Sequence, residues 1–432
     1  MKIVIAASHR LSAILWTLKL SASYVWRIYA SIAYNHQMDP QPGPLRELRV
    51  LELGSLIAGP FAGQLLGDYG AEVIKIEPPG GDPMRRWGIT QRGEGLWWTS
   101  IARNKKSVVL DLHSDEGVTA ARRLAVTADI VIENFRPGQL ESWGLGYEDL
   151  VGDNPGLVMV HVSGYGRSGP RAAEAGFGSI GEAMGGIRHT TGAADSPSSR
   201  CGVSLGDSLA ALFAVIGALA ALEERRHSGF GQEVDVALYE AVAALMESSL
   251  ADAEVAGVVR GRSGGVLPGV APSNAYLSRD GVEVLIAGNG DKVFARLCDA
   301  MGQPELALDE RFSSHAARGA NAAELDELIS LWTSALSAIE LLEILCASGV
   351  PSGKVFTAAD ALTDPQYLAR QMIQRLTSTG GVEMPVTGVV PRFSRTPGSL
   401  RSPGPTLGSH DHLLRRDDEV APRTPESSGL EP

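Results

Sequence analysis

One carboxylate interrupts a long apolar stretch of the chain. VSLGDSLAALFAVIGALAAL, Val203 to Leu222, contains a single charged side chain, that of Asp207. Asp is a favoured N-cap, and the pattern predicts an apolar helix that begins at Ser208. A carboxylate at the start of a buried helix, with Gly206 leaving an open approach to it, is also a candidate nucleophile or base. Both interpretations are open at this point.

Basic residues collect where loops are predicted. The densest cluster is RNKKS, Arg103 to Ser107, directly before the predicted strand SVVLDL. Four more basic residues lie near predicted strand ends: Lys75, Arg85, Arg86 and Arg136. Each alone is typical of a solvated surface charge. Their shared placement favours a site for the phosphates of an anionic cofactor.

Two glycine patterns invite a nucleotide interpretation. GYGRSG, Gly164 to Gly169, fits GxGxxG after a predicted strand, but Pro170 and an irregular segment follow where a helix should open. We therefore favour a glycine-rich loop. A rival pattern, with Glu77 as a ribose ligand, has spacing that suits tight packing of a helix on a sheet better than a dinucleotide fingerprint; its glycines are Gly54, Gly59 and Gly63.

Composition limits the classes of function. The chain has 432 residues, which favours two or three domains, and its net charge of -12 disfavours general binding to nucleic acid or anionic membranes. The cysteines Cys201, Cys298 and Cys346 are far apart without a CxxC pair. They predict reduced thiols in a cytoplasmic protein, with neither a metal site nor a disulfide framework.

Short apolar strands alternate with helices from Leu48 onward. The segments RVLEL, AEVIKIE, SVVLDL, DIVIEN and LVMVHVSG read as strands separated by helical stretches. Such alternation predicts an α/β fold with a parallel sheet covered on both faces. Ligands of these sheets bind at the carboxyl ends of the strands, which here are EPPGGD, ENFRPG and SGYGRSG.

The domain boundaries follow from changes in pattern and composition. We expect an N-terminal extension, a large domain, a linker, a small α+β domain, a segment that returns to the large domain and a flexible tail, at 1–45, 46–240, 241–262, 263–345, 346–412 and 413–432. Residues 1–37 contain basic but no acidic residues, as transit peptides do, and their apolar runs are too short for a membrane span. Translation from Met38 is the simpler interpretation.

Several motifs in order resemble the family III coenzyme A transferases, the CaiB/BaiF group, over about residues 46 to 412. They are RVLELGSLIAGPFAGQLLGDYGAEVIKIEPPGGDPMR, RNKKSVVLDL, ADIVIENFRPG, VHVSGYGRSGP, EAMGG, SLGDSLAALFAVIGALAALEERRHSGFGQEVDVALYEA and GVPSGKV. The resemblance implies a Rossmann-like large domain that binds CoA, a smaller domain, and an interlocked homodimer. It implies acyl-CoA and carboxylic acid substrates, with no permanently bound cofactor.

The resemblance also implies roles for individual residues. Asp207 matches the nucleophile of the family, which forms an aspartyl anhydride and then an aspartyl-CoA thioester. A glycine loop that covers the site is best matched at Gly264 and Gly265, whose amides would stabilise oxyanions. The implied CoA contacts are Ile57, Ala58, Leu110, Asp111, Leu112, His113, Asn134, Phe135 and the loop from Ala175 to Gly178. Lys75 and Arg136 join this set from the basic residues noted above, which were placed without the resemblance.

Departures from relatives bear on the substrate. Formyl-CoA transferase has Gln at Ile57 and Glu at Gly178, so the resemblance argues against oxalate and formyl-CoA and favours a larger or less polar acyl group. We interpret the nearby Glu182 as a helix-surface residue. Phe177 stands where the racemases of the family have a His, which makes racemisation the weaker hypothesis. A racemase or epimerase, a non-catalytic CoA-binding protein and a nucleotide-binding dehydrogenase stay as alternatives.

Overall fold

The computed structural model of the protein describes residues 43–415. Its strands are β1 (Arg49–Glu52), β2 (Glu72–Glu77), β3 (Thr90–Gln91), β4 (Glu94–Gly95), β5 (Lys105–Val109), β6 (Ile130–Glu133), β7 (Val158–Ser163), β8 (Glu233–Ala237), β9 (Ser273–Leu277), β10 (Glu283–Ala287), β11 (Ser352–Lys354), β12 (Ile373–Thr377) and β13 (Glu383–Thr387). Residues 1–42 of the predicted N-terminal extension, which include the segment 1–37, and most of the predicted tail lie outside the described residues.

The helices complete the element order. They are α1 (Ala58–Asp68), α2 (Leu96–Ile101), α3 (Asp115–Val126), α4 (Gln139–Ser142), α5 (Tyr147–Leu150), α6 (Gly178–Met184), α7 (Ile187–Thr190), α8 (Leu205–Ser228), α9 (Leu238–Ala243), α10 (Ser249–Val255), α11 (Asp291–Ala300), α12 (His315–Ala320), α13 (Ala322–Thr333), α14 (Ala338–Ala347), α15 (Ala358–Thr363) and α16 (Pro365–Ala369). Short 3-10 turns cover Pro83–Arg86, Pro304–Ala307 and Asp411–Arg415.

Two compact units make up the described chain. The first contains residues 43–175, 207–237 and 362–415, and the second contains 176–206 and 238–361. The sequence placed 176–206 with the large domain, whereas these residues group with the second unit. The reason is close packing of α6 against α9, where a Cβ added at Gly181 would lie 2.7 Å from the Cβ of Leu238.

A parallel sheet forms the core of the first unit. Six strands lie in the order β5-β2-β1-β6-β7-β8, and every neighbouring pair is parallel. The central strands are almost entirely buried, as expected when helices cover both faces. This confirms the α/β prediction and brings the carboxyl ends of the strands to one edge of the sheet.

Glycines let α1 lie close to the sheet. A Cβ added at Gly63 would lie 2.0 Å from the carboxylate of Glu52 on β1. The structure thus uses this glycine spacing for helix packing, as its sequence suggested. Glu77, the ribose ligand of the rival interpretation, is buried and bonded to Arg85, so it cannot serve a nucleotide.

The second unit is a smaller α+β structure, as expected. Its antiparallel sheet has the order β11-β10-β9. Val284 and Ile286, two positions apart, both lie on the buried face of β10. They share a core with Phe294 of α11 and Leu341 of α14. Strand alternation with one covered face is typical of antiparallel sheets.

Helix α8 is long and apolar enough to cross a membrane by length and composition alone. Core helices of water-soluble enzymes meet the same criterion, and here a face of small residues packs inward: Ala210, Ala214, Ala218 and Ala221 are buried. A Cβ added at Gly217 would lie 2.5 Å from Val234 of β8. The helix therefore packs against β8, the strand at one edge of the parallel sheet.

Candidate functional site

Asn134 joins two neighbouring strand ends. Its side-chain amide donates to the carbonyl of Ser55 at 2.9 Å, and the amide of Ser55 donates back to its Oδ1 at 2.8 Å. A Cβ added at Gly54 would lie 2.4 Å from this Oδ1, so glycine is needed there. Asn134, predicted as a coenzyme contact, thus also fixes the loop after β1.

Four charged side chains meet beneath that loop, and we call them the buried quartet: Glu52, Lys75, Asp82 and Lys105. The ammonium of Lys75 lies 2.8 Å from Glu52 and 2.8 Å from Asp82, and it donates to a backbone carbonyl of the loop at 2.7 Å. Lys105 lies 2.8 Å from the second oxygen of Glu52. All four side chains are at most 1% exposed.

This arrangement contradicts the prediction that Lys75 binds a coenzyme phosphate. An ammonium group has three donors, and those of Lys75 have three acceptors inside the protein. Burial alone would lower the pKa of Lys75, but the charges of Glu52 and Asp82 outweigh burial and raise that pKa. Burial lowers the pKa of Lys105, which shares its carboxylate with a second lysine.

The buried quartet shapes the backbone that leads into α1. Asp82 accepts from the amide of Leu56 at 3.2 Å, and Leu56 has the left-handed φ of 66°. The next residue, Ile57, precedes α1 and is 6% exposed because it packs with Met84 and Trp98. Ala58 is also buried. The backbone just before both predicted contact residues is therefore anchored by Asp82 of the buried quartet.

Most other members of the predicted basic cluster have structural partners. Arg103 is buried and forms a bidentate pair with Asp68, with nitrogen to oxygen distances of 3.0 and 2.6 Å. Arg85 holds Glu77 in the same way, at 2.7 Å for both bonds. Lys106 pairs with Glu72. These contacts assign the cluster to stability rather than to phosphate binding.

Of the basic residues that were predicted to bind phosphate, Arg86 and Arg136 are exposed. Neither forms an ion pair with another residue in the range 43–415. Arg136 directly follows Asn134 and Phe135 at the end of β6. These two guanidinium groups are therefore the part of the basic prediction that a phosphate can still use.

An aromatic cluster lies at the same sheet edge. The ring of His113 lies 5.6 Å from that of Trp143, and the ring of Phe135 lies 5.3 Å from it, both edge to face. Leu110 and Leu112, between β5 and His113, are buried. The loops after β5 and β6 are thus brought together as predicted, and Trp143 is a member that the sequence did not indicate.

Asp111 is exposed at this edge. A hydrogen bond from the backbone amide of His113 at 3.0 Å, together with contact to its ring, lowers the pKa of the Asp111 carboxyl. The negative charge of Asp111 is thus held in the loop after β5. Any phosphate bound nearby has to be paired with a cation.

A buried histidine supports the next loop. His161 of β7 is fully buried between two carboxylates, at 2.7 Å from Glu133 and 3.0 Å from Glu233. Glu133 also accepts from the amide of Phe135 at 2.6 Å. Sequence reasoning missed this contact, because the two residues are 28 positions apart and meet only through strand pairing.

GYGRSG forms a loop and no helix opens on it. Gly166 and Gly169 have φ values of 83° and 89°, and Ser163 accepts from the amide of Gly166 at 3.0 Å. The amide of Arg167 donates to Asp235 at 2.9 Å. A pyrophosphate site needs free amides at a helix start, so the prediction of a glycine-rich loop is confirmed.

Asp207 is half-buried in the first turn of α8. The helix begins at Leu205, earlier than the predicted Ser208, so Asp207 is the third residue of the helix and not its N-cap. The positive end of the helix dipole still favours an ionised carboxylate there. The position combines negative charge, partial exposure and an apolar helix behind it.

Contacts within the second unit surround the residue before Asp207. A Cβ added at Gly206 would lie 2.7 Å from the carbonyl oxygen of Gly178, so only glycine fits. The amide of Gly206 donates to Glu182 at 3.3 Å. Glu182 is 1% exposed, and the interpretation of it as a helix-surface residue is wrong. Its other oxygen lies 3.2 Å from Nε of Arg188.

The remaining predicted site residues are more exposed. Ala175 ends a segment of the first unit and is exposed. Gly264 and Gly265 are exposed in the second unit, where the amide of Gly264 donates to the carbonyl of Gly192 at 3.0 Å. An amide that is already bonded does not serve an oxyanion in this conformation. Across 43–415, no three His, Cys, Asp or Glu side chains are grouped to hold a metal ion.

The ion pairs of the first unit predict a loss of stability in acid. Burial alone would raise the pKa values of Glu77 and Asp82, but Arg85 and Lys75 outweigh it and hold both below their ordinary values of 4.5 and 3.8. A lowered folded pKa stabilises the fold above the unfolded pKa, and this stabilisation is lost as pH falls through the folded pKa. We expect the free energy of unfolding, measured by urea denaturation, to fall steeply below about pH 4.

The variant Glu77→Gln provides the comparison. It removes one of the depressed carboxyls, so its unfolding free energy should depend less on pH in the acid range. An unchanged acid slope in this variant would show that Glu77 does not contribute to the pH dependence.

Known proteins share this architecture and much of this sequence. The family model of CoA-transferase family III matches residues 45–411. The chain belongs to CoA-transferase family III. The resemblance noted in the sequence is thereby confirmed, and the protein is a CoA-transferase whose substrates are CoA thioesters.

Individual members of family III match this chain over nearly their whole length. A succinyl-CoA--D-citramalate CoA-transferase of Chloroflexus aurantiacus is 53% identical over 378 residues, which are 87% of this chain and 94% of that protein. A succinate--glutarate CoA-transferase of Agrobacterium fabrum is 35% identical over 90% of this chain and 98% of its own length. The crystal structure of a CAIB/BAIF family protein from Brucella suis aligns with a TM-score of 0.77 at 37% identity, covering 87% and 99% of the two chains.

Proposed function

We propose that the protein moves CoA from an acyl-CoA donor to a carboxylic acid acceptor through covalent intermediates on Asp207. The carboxylate attacks the thioester carbonyl, which forms an aspartyl-acyl anhydride and releases CoA thiolate. The thiolate attacks the aspartyl carbonyl, which forms an aspartyl-CoA thioester and releases the donor acid. The acceptor carboxylate repeats these steps in reverse, so it leaves as the new thioester and Asp207 is restored.

The observation that carries this proposal is the position of Asp207 in the first turn of α8. It is the single ionisable side chain of the stretch from Val203 to Leu222. A carboxylate at a helix N-terminus is ionised at neutral pH and needs no general base to attack a thioester. Both intermediates are hydrolysable, and the apolar residues that follow Asp207 suit a site that excludes water.

The acids that we propose are dicarboxylic. The 53% identical relative is named for succinyl-CoA and D-citramalate, and a 39% identical one for succinyl-CoA and L-malate. Citramalate and malate are dicarboxylic acids, and the acyl group of succinyl-CoA keeps one free carboxylate beside its thioester. We therefore propose succinyl-CoA as donor and a short hydroxy-dicarboxylic acid as acceptor.

We also propose that two copies of the chain associate. Helix α8 exposes apolar side chains on the face opposite its alanines: Leu212, Ile216 and Leu219 are between 40% and 61% exposed. An apolar stripe at helical spacing is stabilised when another surface covers it. A homodimer of the kind implied by the family resemblance would supply that surface.

A panel of substrates tests the function. The purified protein is incubated with succinyl-CoA or another acyl-CoA and with citramalate, malate, glutarate or acetate, and the CoA esters are read by mass spectrometry. We expect a new ester of citramalate or malate from succinyl-CoA. Exchange of solvent deuterium into the α-carbon of an acyl-CoA without any acceptor would instead favour a racemase, and CoA binding without a new ester would contradict transfer.

A further inference from the structure

The parallel sheet of the first unit reverses its strand order between β1 and β6. The chain passes from β1 to β2 and β5 on one side, and then from β6 to β7 and β8 on the other. In open α/β sheets, ligands bind in the crevice at the carboxyl ends of the two strands where the order reverses. Residues 134–136, which we call the β6 loop, directly follow β6 and therefore border this crevice.

Three contacts fix the backbone of the β6 loop. Asn134 is bonded to the loop after β1, and the amide of Phe135 donates to Oε2 of Glu133 at 2.6 Å. The carbonyl of Arg136 accepts from the amide of Gln139 at 3.0 Å. The guanidinium of Arg136 thus extends into solvent from a fixed backbone, and a loop that is ordered before the ligand arrives loses little entropy on binding.

Glu133 is itself held by the neighbouring strand. Its other oxygen, Oε1, lies 2.7 Å from Nδ1 of His161, which is the residue paired with it in the register of β6 and β7. A carboxylate oxygen only accepts, so Nδ1 is the donor of this bond. Both side chains are buried. His161 therefore determines which oxygen Glu133 presents to the β6 loop.

The second ring nitrogen of His161 has a partner elsewhere. Nε2 lies 3.0 Å from Glu233 on β8, and within 43–415 Glu233 forms no hydrogen bond to the β6 loop. Arg167 also lies 3.2 Å from Nδ1, but it has only donors and pairs with Glu141, so Glu133 is the acceptor for Nδ1. One nitrogen of the ring thus leads to the β6 loop, and the other leads to the edge of the sheet.

We propose that His161 is a positioning residue for coenzyme binding. Through Glu133 it holds the β6 loop so that Arg136 binds a phosphate of the CoA thioester, a charge-assisted contact that arginine is suited to make. His161 is fully buried and does not itself touch the ligand. The inference rests on the transferase function proposed above, because that function makes a CoA thioester the ligand.

Two amide substitutions separate the two nitrogens of the ring. The amide nitrogen of Asn is as many bonds from Cβ as Nδ1, so His161→Asn keeps a donor for Glu133. The amide nitrogen of Gln corresponds in the same way to Nε2, so His161→Gln keeps a donor for Glu233. Each variant retains one of the two hydrogen bonds. The Kd for CoA is measured by titration calorimetry, and kcat and KM are measured with succinyl-CoA and citramalate.

In His161→Gln we expect the Kd for CoA and the KM for succinyl-CoA to rise about tenfold, with kcat changed less than about threefold. His161→Asn should stay within about twofold of the unmodified protein in both constants. Glu233→Gln is the matched control, because it changes the other carboxylate at the same imidazole, and it should leave both constants unchanged.

A double variant tests the route through Arg136. Arg136→Gln alone should weaken CoA binding. Adding His161→Gln should then weaken it by less than the product of the two single effects, because both changes act on the same phosphate contact. Fully multiplicative effects would overturn the proposed route.

Other outcomes also decide the inference. Equal changes of Kd in His161→Asn and His161→Gln would show a purely structural role and overturn it. If His161→Gln does not fold, Glu133→Ala replaces it, and an unchanged Kd in that variant would overturn the inference. Binding of CoA by the unmodified protein without any transfer would contradict the transferase function, while the Kd values of the variants would still decide the role of His161. Absence of CoA binding would overturn both.

Discussion

Replacing Asp207 with alanine is expected to lower CoA transfer by about 1,000-fold or more, because the variant has no carboxylate to form the covalent intermediates. Asp207→Asn is expected to be equally inactive, although it keeps the shape of the side chain. Both are measured as new CoA ester formed per unit time. Asp195→Ala, at an exposed aspartate twelve positions earlier, is the control and should retain activity.

Trapping the intermediate gives an independent check on Asp207. Hydroxylamine added during turnover converts an aspartyl anhydride or thioester into a hydroxamate, which peptide mass spectrometry can locate. We expect the label on the peptide that contains Asp207 and no label without an acyl-CoA. A hydroxamate on a different residue, or full transfer by Asp207→Ala, would contradict the mechanism.

Lys105→Met should have the largest effect on stability. It leaves the buried Glu52 with one cation fewer in a site that water does not reach, and breaking a buried pair typically costs about 3–5 kcal/mol. The adjacent residue offers a matched control, since the side chain of Lys106 is 39% exposed and pairs with a partly exposed Glu72. Lys106→Met should cost about 0–1 kcal/mol.

Urea denaturation of the two methionine variants measures this difference directly. A cost for Lys105→Met no larger than that for Lys106→Met would show that the buried quartet does not carry the stability assigned to it. The double variant Glu52→Gln with Lys105→Met should cost less than the sum of the single changes, because each change removes the partner of the other.

The sheet and its loops could be predicted because their signals are local. Apolar runs such as EVIKIE report burial of a strand directly, and strand ends report where loops lie. Each predicted central strand was found, and the loops after β5 and β6 are brought together because the rings of His113 and Phe135 both contact Trp143. These predictions depend on the residue pattern within one segment, and they do not require knowing which distant residue a side chain contacts.

The charged residues could not be predicted in the same way. A lysine near a strand end looks the same in sequence whether it faces solvent or a carboxylate on the next strand. Lys75 lies directly opposite Glu52, which is 23 positions away and adjacent only through sheet register. Glu182 was misjudged for the same reason, since its partners Gly206 and Arg188 are recognised only after folding.

The start of α8 was misjudged for a different reason. Capping preference pointed to Asp207, but Ser204, also of capping type, directly precedes the helix. Local preference cannot rank two capping residues three positions apart. Because the helix begins earlier than predicted, Asp207 lies in its first turn and not at its boundary. The proposed chemistry rests on that position.

Residues that lie about 300 positions later in the chain cover the outer edge of the sheet at β5. Asp411 accepts from the amide of Val109 at 2.8 Å, and the amide of His410 donates to the carbonyl of Ser107 at 3.0 Å. During synthesis this edge therefore waits for about 300 further residues before it is covered. Unpaired edges of this kind associate with other chains. Until residues 410 and 411 have been synthesised, the nascent chain therefore exposes this strand edge, and we expect it to be prone to aggregation during that interval.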